Sequence, residues 1–96
     1  MEYLSIFSDM LRSRLFERKI EFLFNKGQLY GTTHLAIGQE ACHVGLVAGL
    51  DRKDWIVPTH RCHGYNVARG TKLEAMFSEM LGSKHGICKG IGGSMH

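Results

Sequence analysis

No apolar run in the chain approaches the ~20 residues that a membrane-spanning helix needs, so no span and no membrane partner are expected. No basic leader precedes an apolar block either. The opening "MEYLSIFSDMLRSRLF" sets an early acid and early arginines inside its apolar pattern, unlike a secretory signal. A cytoplasmic location is the expectation. There is no Lys/Arg tract and no interleaving of basic and aromatic residues, so a nucleic-acid module is not expected. The net charge of +3 supports only a weak preference for anions. The three cysteines (Cys42, Cys62, Cys88) are odd in number, widely spaced and contain no C-x-x-C, which argues against a disulfide framework and for reduced thiols. No internal repeat is visible.

What is present is the composition of a soluble globular chain, 44% hydrophobic and 22% charged. At 96 residues it is one domain at most, with a modest core. Residues 3–24 are the most periodic stretch. Tyr3, Phe7, Met10, Leu11, Leu15, Ile20 and Leu23 fall near helical spacing with charged residues between them, which predicts an amphipathic helix packed on a core or a partner. Gly27 supplies its stop. "QLYGTTHLAIGQ" reads as loop, and "QEACHVGLVAGL" as a helix of small residues suited to close packing. Trp55–Val57 reads as a short buried strand that Pro58 ends, because proline cannot donate to a ladder. "HRCHGYNVARG" reads as a loop entering a short helix that ends at Gly70. "TKLEAMFSEMLG" reads as a helix with a capping box at Thr71 and Glu74, an apolar face of Leu73, Met76, Phe77, Met80 and Leu81, and a stop at Gly82. The tail "SKHGICKGIGGSMH" is glycine-rich. It reads either as a flexible end or as a loop whose backbone approaches a ligand or partner closely. Its ending without a closing element predicts a piece of a larger domain.

The chemistry concentrates in "PTHRCHG", residues 58–64. His60, Cys62 and His63, with Cys42 and His43, offer metal-ligand types. Their spacing is not that of a structural zinc site, and no H-E-x-x-H occurs. Cys42 reads as a small buried hydrophobe. Cys62 is a nucleophile only where a base lowers its pKa. The anion reading fits better. Arg61 opens a loop-to-helix turn after a strand end, where ligands collect in open α/β folds, and a guanidinium presents a fork of donors to phosphate oxygens. His60 adds a donor. The competing reading pairs Arg61 with Glu40 or Asp54. "GIGG" is neither a Walker A loop nor a complete G-x-G-x-x-G.

Taken in order, "YGTTHLAIGQEACHVGLVAGL", "DWIVPTHRCHGYNVARG" and "KHGICKGIGGSMH" resemble the N-terminal region of the alpha subunit of thiamine-diphosphate-dependent 2-oxo acid dehydrogenases. This is the first component of the pyruvate, branched-chain and acetoin dehydrogenase complexes. The signatures H-L-x-x-G-Q-E-A, R-x-H-G and G-G-S-M-H carry the likeness over essentially the whole chain, and "TTHLAIGQEA" with "THRCHG" leans toward the acetoin type.

The resemblance implies an α/β fold: the first part of a thiamine-diphosphate-binding domain, mostly helical here, with one or two short strands. Residues 1–27 would form its leading helix and residues 28–96 the start of the cofactor-binding domain. It implies that Arg61 and His60 contact the diphosphate, and that His34 lines the active-site entrance and handles substrate or intermediate. His63 lies near the cofactor as a second catalytic candidate. Glu40 reads as structural, starting a helix. Implied cofactors are thiamine diphosphate and magnesium, whose family ligands in a downstream "GDG … NN" segment do not occur here. None of these residues is assigned to the metal. Implied partners are a beta subunit in an alpha2beta2 assembly, a lipoyl-bearing second component, and a small 2-oxo acid or acetoin. The reaction implied is attack of the cofactor's ylid on a carbonyl, then acyl transfer to the lipoyl group. The 96 residues alone are expected to be inactive. The alternative is a stand-alone interaction module derived from the same family.

Overall fold

The computed structural model of the chain describes residues 2–29 and 31–94. Met1, Tyr30 of the YGTTH stretch, and the Met95 and His96 that close GGSMH lie outside the described residues. Among the described residues four helices form: α1 (Tyr3–Asn25), α2 (Glu40–Ala48), α3 (His63–Ala68) and α4 (Leu73–Met80). Neither glycine nor proline interrupts α1 over its 23 residues. It stops where expected. Gly27 takes φ 73°, and the Gln28 N–H donates to the Leu23 carbonyl at 3.1 Å, which satisfies a terminal acceptor. The α3 and α4 ends repeat this closure at Gly70 and Gly82.

The face that α1 buries is not the one its apolar residues outline. Ser13, Phe16, Glu17 and Ile20 point inward, at i, i+3, i+4 and i+7. Tyr3, Phe7, Leu11 and Leu15 of the predicted stripe are exposed. Two polar residues interrupt the true inner face, so a hydrophobicity count points to the wrong side. Phe16 is the centre of the core, 4.6 Å ring to ring from Phe77, with Ile20, Leu29, Val67, Met76 and Met80 completing the cluster. Leu23, Leu35 and Leu73 pack against its edge. α1, α2 and α3 pack pairwise on one another.

Close packing is found at Gly64 of α3 and not at the small residues of α2. A Cβ on Gly64 would overlap the His43 ring, whereas one on Gly45 would meet nothing. His43 also stacks on Tyr65, with ring centroids 4.1 Å apart.

Four further expectations are corrected. The strand at Trp55–Val57 does not form, and no strand occurs among the described residues. Trp55 and Val57 are 93% and 91% exposed. A strand needs a second backbone to pair its N–H and C=O groups, and no strand lies beside this segment among the described residues. Arg69 instead straps the preceding turn, donating to the Arg52 and Asp54 carbonyls at 2.9 and 2.7 Å. The capping box at Thr71 and Glu74 is absent: the Thr71 N–H closes α3 on Asn66, and α4 begins after Lys72 with no side-chain cap. Leu81 lies outside the buried face of α4 and is exposed. Cys42 is exposed because α2 turns Glu40, His43 and Val44 inward.

Phe16→Ala is expected to cost ~3–5 kcal/mol of stability, whereas Leu15→Ala stays within ~0.5 kcal/mol. Urea unfolding of the two variants checks which face of α1 is buried. Comparable losses would place the core on the predicted stripe.

Candidate functional site

Two loops meet at one surface of the molecule. The loop before α2 carries His34, and the loop before α3 carries His60 and Arg61. The His34 and His60 rings meet edge to face, with centroids 4.5 Å apart. Arg61 fastens the two loops together, because its guanidinium donates to the Leu35 carbonyl. Its own N–H rests on the Thr59 hydroxyl at 3.3 Å. The sequence leaves open whether Arg61 pairs with Glu40 or Asp54; it pairs with neither. Glu40 is taken in a bidentate grip by Arg14, at 2.9 and 3.0 Å, and accepts the Gly38 N–H as well. Asp54 accepts the Asp51 N–H. Arg61 therefore keeps its charge without a carboxylate among the described residues, half-buried beside two imidazoles. Desolvation, then the neighbouring His60 and Arg61, holds His34 below the usual histidine range. A neutral His34 ring at pH 7 can accept a proton.

His63 sits apart from this pair, at the first turn of α3. It is 4% exposed and both ring nitrogens are engaged. Nδ1 faces Glu17 Oε1 at 2.7 Å, and Nε2 faces the Ser94 carbonyl at 2.8 Å, with the Ser94 hydroxyl at 3.3 Å. Carboxylate and carbonyl oxygens only accept, so this pair of partners favours hydrogen on both ring nitrogens. Burial works against that charge, but the hydrogen bond and the charge of Glu17 outweigh it and raise the His63 pKa. Cys62, beside it, has its thiol pushed up by burial, which leaves it a poor nucleophile. Among the described residues no three His, Cys, Asp or Glu side chains gather as metal ligands.

Sequence reading missed Glu17 and Glu79, both 5% exposed or less. Each stands one residue from a core residue, Phe16 and Met80, and nothing else in the sequence separates it from a surface acid.

A family model described as the dehydrogenase E1 component matches residues 8–96, and the chain belongs to that family. Over 91 residues it is 46% identical to the alpha subunit of the Bacillus subtilis acetoin:2,6-dichlorophenolindophenol oxidoreductase, covering 95% of this chain and 27% of that protein. The Cupriavidus necator subunit of the same name is 41% identical over 93 residues, covering 97% and 28%. The mitochondrial pyruvate dehydrogenase E1 component subunit alpha of Saccharomyces cerevisiae is 36% identical over 93 residues, covering 97% and 22%. The chain thus spans about a quarter of the length of these relatives.

The Arg14 hydrogen bonds are the largest cause holding the Glu40 carboxyl at about 2. A depressed carboxyl stabilises the fold above its ordinary value of 4.5, and this contribution is lost as pH falls from there toward about 2. Arg14→Ala is expected to lower stability at pH 7 and to have much less effect at pH 2, where Glu40 is largely protonated. Urea titrations at both values check this, and an equal loss at both would contradict it.

Proposed function

We propose that this chain is the opening part of the alpha subunit of a thiamine-diphosphate-dependent dehydrogenase first component. Residues 28–96 begin the cofactor-binding domain, and α1 leads into it. The observation that carries the reading is the unneutralised Arg61 set beside His60 and His34 where two loops join. Family membership and the alpha-subunit relatives of acetoin and pyruvate dehydrogenases support it.

Arg61 and His60 are the residues here that would hold the diphosphate. Arg61 is always cationic and offers its remaining N–H donors as a fork. When bound, thiamine diphosphate supplies the carbon nucleophile that breaks the bond next to a carbonyl. His34, kept neutral by its surroundings, accepts or returns a proton at the substrate oxygen. His63, buried against Glu17, acts as a positioning residue that holds Ser94. The substrate class is a small 2-oxo acid or acetoin, and the acyl unit passes to a lipoyl group on a second component. A beta subunit completes the site in an alpha2beta2 assembly, magnesium is bound by residues beyond these 96, and the location is cytoplasmic. The 96 residues alone neither turn over substrate nor bind the cofactor tightly.

The test uses the subunit that contains this chain, together with its beta subunit. Arg61→Ala is expected to weaken thiamine diphosphate by ~10–100-fold in calorimetry, the loss of one or two charge-assisted hydrogen bonds. His34→Gln is expected to lower turnover by ~100-fold or more with cofactor affinity unchanged. Unaltered cofactor affinity in the Arg61 variant would overturn the assignment.

A further inference from the structure

Glu79 stands in the last turn of α4 and is buried, yet no basic side chain pairs with it among the described residues. That is the wrong end of a helix for a carboxylate, because the dipole there is negative. Its partners are all backbone. Oε1 accepts the N–H groups of Cys88 and Gly90, at 2.6 and 3.0 Å. Oε2 accepts those of Gly92 and Gly93, at 2.7 and 3.0 Å. Between these donors the chain runs in tight turns: the Lys89 N–H donates to the Gly86 carbonyl and the Ile91 N–H to the Cys88 carbonyl, each at 3.1 Å. Converging backbone N–H groups in such turns form a concavity for anions. Burial works to raise the Glu79 carboxyl, and the four donated hydrogen bonds more than reverse this, so it stays ionised.

The backbone is forced close to reach it. A Cβ on Gly86 would lie 2.6 Å from the Glu79 nitrogen, and one on Gly90 would overlap the Gly82 carbonyl. Lys89, with no such excuse as a side-chain-free residue, is held at φ 57°. A conformation of that kind persists only where its surroundings over-determine it.

We infer that residues 88–93 form an oxyanion-binding loop whose anion is supplied by the chain itself, as the carboxylate of Glu79. The loop is an anion site filled in cis, and this internal ligand gives it its shape. Ser94 follows directly and is held by His63, so filling the site also delivers Ser94 to the α3 terminus. Emptied of its carboxylate, the site takes a small free one.

Hydrogen exchange of the full chain tests this, with acetate as the probe and chloride at equal ionic strength as the control. In Glu79→Ala the amides of Cys88, Gly90, Gly92 and Gly93 are expected to exchange about tenfold faster or more, while those of α1 hold. Acetate at ~100 mM, acting as a millimolar ligand, restores their protection and chloride does not. Glu79→Gln keeps the shape of the side chain and only one carbonyl oxygen, so it is expected to lose protection at one pair of amides. It is not rescued by acetate. Should the Ala variant unfold, refolding by acetate and not by chloride supports the site. Undiminished protection in both variants overturns it, as does unfolding that acetate fails to reverse or a rescue that chloride matches.

Discussion

The buried pair of Glu17 and His63 is the constraint on which the rest of the arrangement depends. Taking two charges out of water is costly, and only a short contact with further hydrogen bonds offsets that cost. At 2.7 Å the contact is short and the Ser94 carbonyl takes the second ring nitrogen, while the other oxygen of Glu17 is buried without a hydrogen-bond partner among the described residues. The pair can form only if α1 presents Glu17 inward, which sets the rotation of the whole helix. Phe16 and Ile20 then face the core, and Tyr3, Phe7, Leu11 and Leu15 face outward. The same pair seats α3 on α1. The Phe16 ring meets His63 edge on at 5.7 Å, so the charge is walled by the core rather than by water.

From α3 the constraint reaches both loops that matter. His60 and Arg61 come just before the helix that His63 begins, so anchoring His63 limits where they can lie. Arg61 then draws in the Leu35 carbonyl and with it His34. On the other side, Ser94 ties the glycine-rich segment to His63, while Glu79 organises that segment from within. Two buried carboxylates, Glu17 through His63 and Glu79 through the glycine-rich segment, thus shape the surroundings of the candidate site. Arg14 and Glu40 do similar work for α2, and they leave Arg61 without an acidic partner.

The helices were legible in the sequence because their ends are marked. Gly27, Gly70 and Gly82 each stop a helix as read, since the backbone there needs positive φ. His60 and Arg61 were legible as candidates from residue type and position, and His34 only through the family resemblance; the structure brings these three together. The inner face of α1 was not legible, because the residue that fixes it is polar and its partner lies 46 positions away. The same holds for the tail. Glycines announce a close approach but not what is approached, and the answer, Glu79, resembles any surface acid on a helix. The strand at Trp55–Val57 failed for a related reason: local preference proposes a strand, but only a neighbouring backbone can make one.

The most direct test of the account is the state of the His63 ring, followed by nitrogen NMR across pH in the native chain and in Glu17→Gln. Both ring nitrogens are expected to remain protonated above the ordinary histidine value of 6.5 in the native chain, and the ring to become neutral at lower pH once Glu17 loses its charge. Stability contributed by the pair is then fully present below pH 6.5 and is lost as pH rises through the higher folded value. A His63 ring already neutral below pH 6.5 in the native chain would contradict the ion pair and the helix rotation built on it.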